Sequence, residues 1–236
     1  MKPHHALMAT IGLALTVLQL PAFAQAFVEP CARSETFPRP AVNGPFDYRN
    51  ERGALQMVES NHFIPQVENL VRGKTGTLAG ELSFVLHGFP NHHRALATLI
   101  RYSEREKSLQ PADLDYSVDC YFLRAIRFRA DDMIVRMLFA DHLSRTRRPA
   151  EAVAQLENVK AAAPDNPLTQ HNIGLLYFQL GRYKDATAQA HLAMAMGLPR
   201  TDLRDLLKAK GQWTDAPPSP ADSPASAPGA ASAPGS

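Results

Sequence analysis

The stretch Asn172–Gly197, NIGLLYFQLGRYKDATAQAHLAMAMG, leaves this chain few ways to fold. Ile173, Leu176, Tyr177 and Leu180 recur at the spacing of one buried helix face. Gly181 then interrupts the pattern. Tyr183, Ala186, Ala190 and Ala193 form a second stripe, ended by Gly197 and Pro199. Two short amphipathic helices joined by a tight turn make a helical hairpin. The small residues Gly174, Ala186, Ala190 and Ala193 let its two backbones approach closely.

The same pattern extends upstream. Leu55 and Val58 suit a short helix; Phe63, Val67 and Leu70 suit a second, ended by Gly73. Leu78, Leu82, Val85 and Leu86 make a third, stopped by Gly88 and Pro90. Asn91 is placed to cap a helix running to about Lys107, with Leu96, Leu99 and Ile100 facing the core. A long loop over 108–117 precedes a helix from about Val118 to Phe128 that buries Cys120, Tyr121, Leu123 and Ala125. Asp131 or Asp132 caps the next helix, with Ile134, Leu138 and Leu143 apolar. Its partner starts at Pro149 and carries Ala152, Val153, Leu156 and Val159. After Pro199, Thr201 caps a last helix with Leu203, Leu206 and Leu207 on one face, closed by Trp213.

Taking Ala97, Ala140 and Gly174 as the small residue of each first helix gives spacings of 43 and 34. Pro164 and Pro199 end equivalent helices 35 apart. This order of residues and a 34-residue period resemble the tetratricopeptide repeat, or TPR. The resemblance covers roughly 91–199, with 61–90 a degenerate hairpin of the same kind. The extra nine residues of the first spacing coincide with the 108–117 loop. The middle repeat departs at Arg147, where the family carries Gly. The implied fold is all-α: a right-handed array of antiparallel helical hairpins, a TPR-like α-solenoid, with an extended N-terminal arm and a C-terminal capping helix. The corresponding division is a signal peptide over 1–24, an arm over 25–50 and a helical domain over 51–213. Within that domain the hairpins are 61–90, 91–130, 131–164 and 165–199, with a cap over 201–213. A tail over 214–236, rich in Pro, Ala and Ser, has too little apolar surface to order itself.

The N-terminus reads as an export signal. Lys2 precedes an apolar run from Ala6 to Leu20 and an A-x-A site ending at Ala24, with Ala26 a second possible cleavage point. The run is shorter than the roughly 20 residues that span a bilayer, so the mature chain is expected to carry no transmembrane segment. The periplasm is the expected address. Prolines 30, 38, 40 and 45 exclude regular helix from the arm, yet Phe37, Val42, Phe46 and Tyr48 are too apolar for a solvated linker. The run from Gly44 to Tyr48 reads as a turn docked on the body. Cys31 and Cys120 are the only cysteines. In an oxidising compartment their even count favours one disulfide tying arm to body, with two free thiols the other option.

Chemistry-bearing motifs are scarce. Gly73-Lys74-Thr75 imitates the end of a phosphate loop, but Glu68 stands where its first glycine is needed and no strand precedes it. His87, His92 and His93 cluster in sequence, but without a His-x-x-x-His pair or a cysteine cluster. No cofactor motif is present. The formal net charge is +2, and +1 without Lys2, so bulk attraction to nucleic acid is absent. Arg124, Arg127, Arg129 and Arg136 read as a solvated face.

A non-catalytic interaction scaffold is therefore expected, binding another envelope protein or peptide. In the TPR family the first helices line a concave groove, and the resemblance implies that Arg94, Arg101, Tyr102, Asp141, Arg145, His171, Asn172, Phe178 and Gln179 project into it. Thr98, Met137, Ser144 and Leu175 share that face. Only Arg94 and Asn172 match the family's carboxylate clamp; Thr98, Leu138 and Leu168 occupy its other places. One alternative is a structural accessory whose groove is filled by its own arm and which binds through its convex face. A metal-dependent enzyme built on His87 and His92 is a third reading.

Overall fold

Helix starts and stops recur along this chain with the same hydrogen bonds. The computed structural model describes Cys31 and residues 44–215. Among them run ten helices: α1 Arg52–His62, α2 Pro65–Glu68, α3 Leu78–Gly88, α4 His93–Glu106 and α5 Val118–Phe128. α6 Met133–Arg145, α7 Pro149–Ala162, α8 Pro167–Gln179, α9 Tyr183–Ala195 and α10 Asp202–Ala209 complete the order. The expected signal peptide and most of the arm and tail lie outside the described residues.

Three turns lead into α4, α6 and α8. In each, the N–H of the capping residue donates three residues back: His92 to Phe89 O at 3.0 Å, Asp132 to Arg129 O at 3.1 Å, Asn166 to Ala163 O at 3.5 Å. Each capping side chain then accepts from the third helical N–H: His92 from Ala95, Asp132 from Val135, Asn166 from Thr169. The exits repeat as well. Lys107, Arg147 and Gly181 take left-handed φ values of 52°, 60° and 71°. The following N–H groups of Ser108, Arg148 and Arg182 close onto Ser103, Leu143 and Tyr177 carbonyls at 3.1, 2.8 and 2.9 Å. This is the six-to-one closure that satisfies the last orphan carbonyls of a helix.

Packing follows the order of the chain. α6 pairs with α7 and α8 with α9, while α4, α6, α8 and α10 contact one another in succession. α1 lies on α3, and α2 touches α3 and α4. One core runs the length of the array, from Phe63 and Val67 through Leu99, Phe122 and Phe139 to Tyr177 and Leu207. The molecule is thus an all-α array of helices packed largely on their neighbours. Close approach is real at Gly174, where an added Cβ would stand 2.4 Å from Leu203 Cδ2 and 3.1 Å from Gln189 Cβ.

Several expectations need correction. His92, not Asn91, caps α4; Asn91 is buried as a polar hub instead. α2 is a single turn rather than a hairpin partner, because Leu70 turns left-handed at φ 59°. Thr201 precedes α10 but makes no cap hydrogen bond there; its hydroxyl donates to Asp205 instead. Ile134 is 46% exposed and Leu206 is exposed too, while the unforeseen Phe122 and Phe139 fill the core. The repeat register also shifts. Helix starts at 93, 133 and 167 put Ile100, not Ala97, in the place of Ala140 and Gly174. The 108–117 loop is long as expected, but α5 is three residues shorter than α7, 11 against 14, so the structural spacing is 40.

The docked turn is present. Phe46 N–H donates to Gly88 O at 2.8 Å, and its ring packs 5.5 Å from Phe89. A disulfide joins Cys31 to Cys120, the bond expected of an oxidising, extracytoplasmic compartment. Among the described residues no helix is long and apolar enough to cross a membrane.

Candidate functional site

α6 and α8 leave an open groove of about 360 Å³ between them. Ile134, Met137 and Leu138 from α6 and Leu175 and Leu176 from α8 supply its apolar lining. Asp141, Arg145, Asn172 and Gln179 supply its polar groups. Helical spacing explains the set: 134, 138, 141 and 145 on α6 and 172, 175, 176 and 179 on α8 fall on one face each. Arg145 is held in place by Asp141 at 2.8 Å and by Glu104 of α4 at 3.0 Å. Asn172 and Gln179 carry no side-chain hydrogen bond among the described residues. Two amides two turns apart on one helix are therefore ready to exchange hydrogen bonds with a ligand.

The expected site residues divide by helix. Asp141, Arg145, Asn172 and Gln179 come together in this groove. Arg94 and Arg101 do not join them. Arg94 pairs with Glu59 at 3.1 Å and also with Glu68, and Arg101 donates to the Glu68 carbonyl at 2.7 Å. Arg105 donates to the Leu70 carbonyl at 2.7 Å. The α1–α2 segment thus lies over the face of α4 that continues the groove. Tyr102 was expected to be exposed and is 6% exposed, because the three-residue register shift turns it inward. His171 is 2% exposed and pairs with Asp202 of α10 at 3.1 Å. Phe178 packs on the core and meets Tyr183 of α9 at 5.4 Å. Ile134 and Leu176 were missed as groove residues, and Leu138 was placed there only as a departure from the family's clamp. The signal for Ile134 was present: it and Leu168 are both apolar, 34 residues apart, and exposed at matching helix starts.

The histidines are committed to the fold. Burial holds the His92 imidazolium form down, to a pKa of about 3, and the Arg94 charge reinforces it. Its ring lies tilted against Tyr48, centroids 4.2 Å apart, and Nε2 faces Glu59 at 3.1 Å. His93 Nε2 meets Asp132 at 2.8 Å. His87 Nδ1 meets the Ser83 carbonyl at 2.7 Å and its Nε2 lies 3.5 Å from Asp115. Among the described residues no group of three His, Cys, Asp or Glu side chains is placed to hold a metal ion.

The phosphate-loop imitation has a structural explanation. The N–H groups of Lys74, Thr75 and Gly76 converge on Glu81 Oε1 at 2.8, 2.6 and 3.3 Å, with the Thr75 hydroxyl at 3.0 Å. His62 Nδ1 takes Oε2 at 2.7 Å. Burial opposes ionisation of Glu81, but these hydrogen bonds outweigh it and hold the carboxyl below its ordinary value. A carboxylate of the chain itself occupies the place an anion would take.

A second polar cluster pins the arm. Asn91 donates to Asp47 Oδ1 at 2.8 Å and to Asp132 Oδ2 at 2.9 Å, and accepts from Tyr48 N–H at 3.0 Å. Arg49 spans Asp47 and Asp131, and Arg129 reaches Asp47 at 2.9 Å. Hydrogen bonds from Arg49 hold the Asp47 carboxyl well below the usual carboxylate range.

Neither a protein-family model nor a curated protein matches this sequence.

Proposed function

We propose that this chain is an exported, TPR-like right-handed array of helical hairpins that binds an extended peptide segment of an envelope protein and catalyses nothing. The observation that carries the reading is the α6–α8 groove, with its apolar lining and the two uncommitted amides of Asn172 and Gln179. Seven residues of helix separate those amides by about 10 Å, a span that about three residues of extended chain cover. A backbone lying there would exchange hydrogen bonds with the amides while an apolar side chain settles against Met137 and Leu175. That division of labour, main chain for affinity and pockets for specificity, is common in peptide recognition. The periodic turns and the 34-residue spacing of α6 and α8 support the TPR-like reading. The disulfide supports the periplasm as the address.

A specific observation also favours a second reading. The groove face of α4 is already covered by α1–α2 through Glu59 and Glu68. An accessory subunit would extend this self-filling along the array and bind its partner through the convex face.

Selection of random seven-residue peptides on the mature protein separates the two. On the groove reading, Leu175→Asp weakens the selected peptides by at least about tenfold, roughly 1.4 kcal/mol, and Arg127→Ala leaves them unchanged. Peptides lost on Arg127→Ala and kept on Leu175→Asp would support the accessory.

A further inference from the structure

The protein already seats one stretch of its own chain on a first helix. Arg94, Thr98, Arg101 and Arg105 fall on one face of α4. The end of α2 and the two residues after it lie along that face. Arg94 Nε donates to Glu68 Oε1 at 2.8 Å. Thr98 Oγ1 and Arg101 Nη2 donate to the Glu68 carbonyl at 3.5 and 2.7 Å. Arg105 Nη1 donates to the Leu70 carbonyl at 2.7 Å. Thr98 is fully buried there. The segment therefore runs parallel to α4, with Glu68 near the start of the helix and Leu70 near its end. Its carbonyl contacts ask only for a path of the main chain. The Glu68 carboxylate is the contact that asks for a particular side chain.

α8 offers the same face without such a segment. α4 starts at His93 and α8 at Pro167. Counted from those starts, Arg94, Thr98, Arg101 and Arg105 correspond to Leu168, Asn172, Leu175 and Gln179. Asn172 keeps a donor where Thr98 has one, and Gln179 keeps one where Arg105 has one. Asn172 is half-buried and Gln179 exposed, so both are open to a segment in the groove. Leu168, 48% exposed, takes the place of Arg94, and Leu175 that of Arg101. A carboxylate set against Leu168 would lose water and gain no cation. A large apolar side chain there would instead bury apolar surface.

We propose that the partner segment lies in the α6–α8 groove along the path that residues 68–70 take on α4. It runs parallel to α8, gives carbonyls two residues apart to Asn172 and Gln179, and carries a large apolar side chain where Glu68 carries its carboxylate. This rests on the groove reading and adds to it the direction of the partner chain and the side chain selected.

The test uses two capped octapeptides, a copy of residues 64–71 (IPQVENLV) and its Glu68→Leu variant. Each is titrated into the mature protein and followed through backbone amide NMR shifts. On the unaltered protein the Glu68→Leu peptide is expected to shift residues 168–179 and to bind about fivefold or more tightly than the copy. Leu168→Arg, at an exposed position, rebuilds Arg94 and should reverse the preference, to about threefold or more in favour of the copy. A nitroxide on the N-terminus of the Glu68→Leu peptide should broaden signals near 168, and one on its C-terminus those near 179, about 16 Å along the helix. Absence of shifts in the groove, a preference that Leu168→Arg leaves unchanged, or exchanged nitroxide positions overturns the proposal. Random seven-residue peptides selected on the same protein keep the groove reading separate. If they depend on Leu175 but run the other way, only the direction and the selected side chain fall. If none depends on Leu175, the groove reading falls with them.

Discussion

Asn91 shows how much of this protein rests on single buried polar groups. Its side chain joins Asp47, Tyr48 and Asp132, and so ties the docked turn to the entries of α4 and α6. Its neighbours cannot be left half-paired in a dry site. Asn91→Ala is expected to cost about 2–4 kcal/mol in a denaturant melt, against under about 0.5 kcal/mol for the exposed Arg127→Ala. The same chemistry fixes the response to acid. In the folded chain Arg49 holds the Asp47 carboxyl low. Burial opposes ionisation of Asp132 and Asp119, but hydrogen bonds from His93 and Asn91, and from His142 and Arg148, outweigh it. The unfolded chain therefore protonates these groups first, and their stabilisation is lost as pH falls below the usual carboxylate range. His92 acts higher up, because its folded pKa is about 3 against an ordinary 6.5. Between those values the unfolded chain binds the proton and the folded chain does not. Stability should be level above about pH 7 and decline below 6.5, approaching a slope of about 1.4 kcal/mol per pH unit. Stability that rises on acidification from pH 7 to pH 5 would contradict this assignment.

At the level of elements, turns explain both what the sequence revealed and what it hid. The α8–α9 hairpin was legible because Gly181, Ala186 and Gly197 sit where geometry needs them. The α6–α7 exit was harder, because Arg147 takes the left-handed conformation that Gly181 takes in the next hairpin. An exposed Arg pays about 1 kcal/mol there, so Arg147→Gly should raise stability by about 0.5–1 kcal/mol, while Gly181→Ala should lower it by a similar amount. Equilibrium unfolding of the two variants measures both signs. The register of α4 was misread because Ala97 looks like a packing residue by size alone. Its neighbours decide otherwise: the capping hydrogen bonds at His92 and Lys107 place Ile100 at that level. The slip of three residues carried Tyr102 into the expected groove, when it is buried. His171 was misplaced for a different reason. It is buried beside Asp202 of α10, and a tertiary neighbour of that kind leaves no mark on a helical stripe.

Over the whole molecule, the chain covers one part of its helical face and leaves another open. α1 and α2 occupy the face of α4, and the disulfide from Cys31 to Cys120 fastens the preceding segment near α5. The bond closes a loop with a separation of 89 residues. Chain-entropy arguments give it about 4–5 kcal/mol, less where the arm is already docked by Asp47 and Phe46. Reduction should lower Tm clearly, and a Tm unchanged by reductant would show the arm to be held by its other contacts. What stays open is the α6–α8 groove, and the proposed function stands or falls on whether a partner lies there. Site-specific photocrosslinking in the native cell tests this most directly, with the photoreactive group placed at position 175 in the groove, 101 under α2, or 127 on the outer face. The account expects a discrete adduct from 175 and none from 101 or 127. An adduct from 127 with none from 175 would contradict it and move the partner to the convex side.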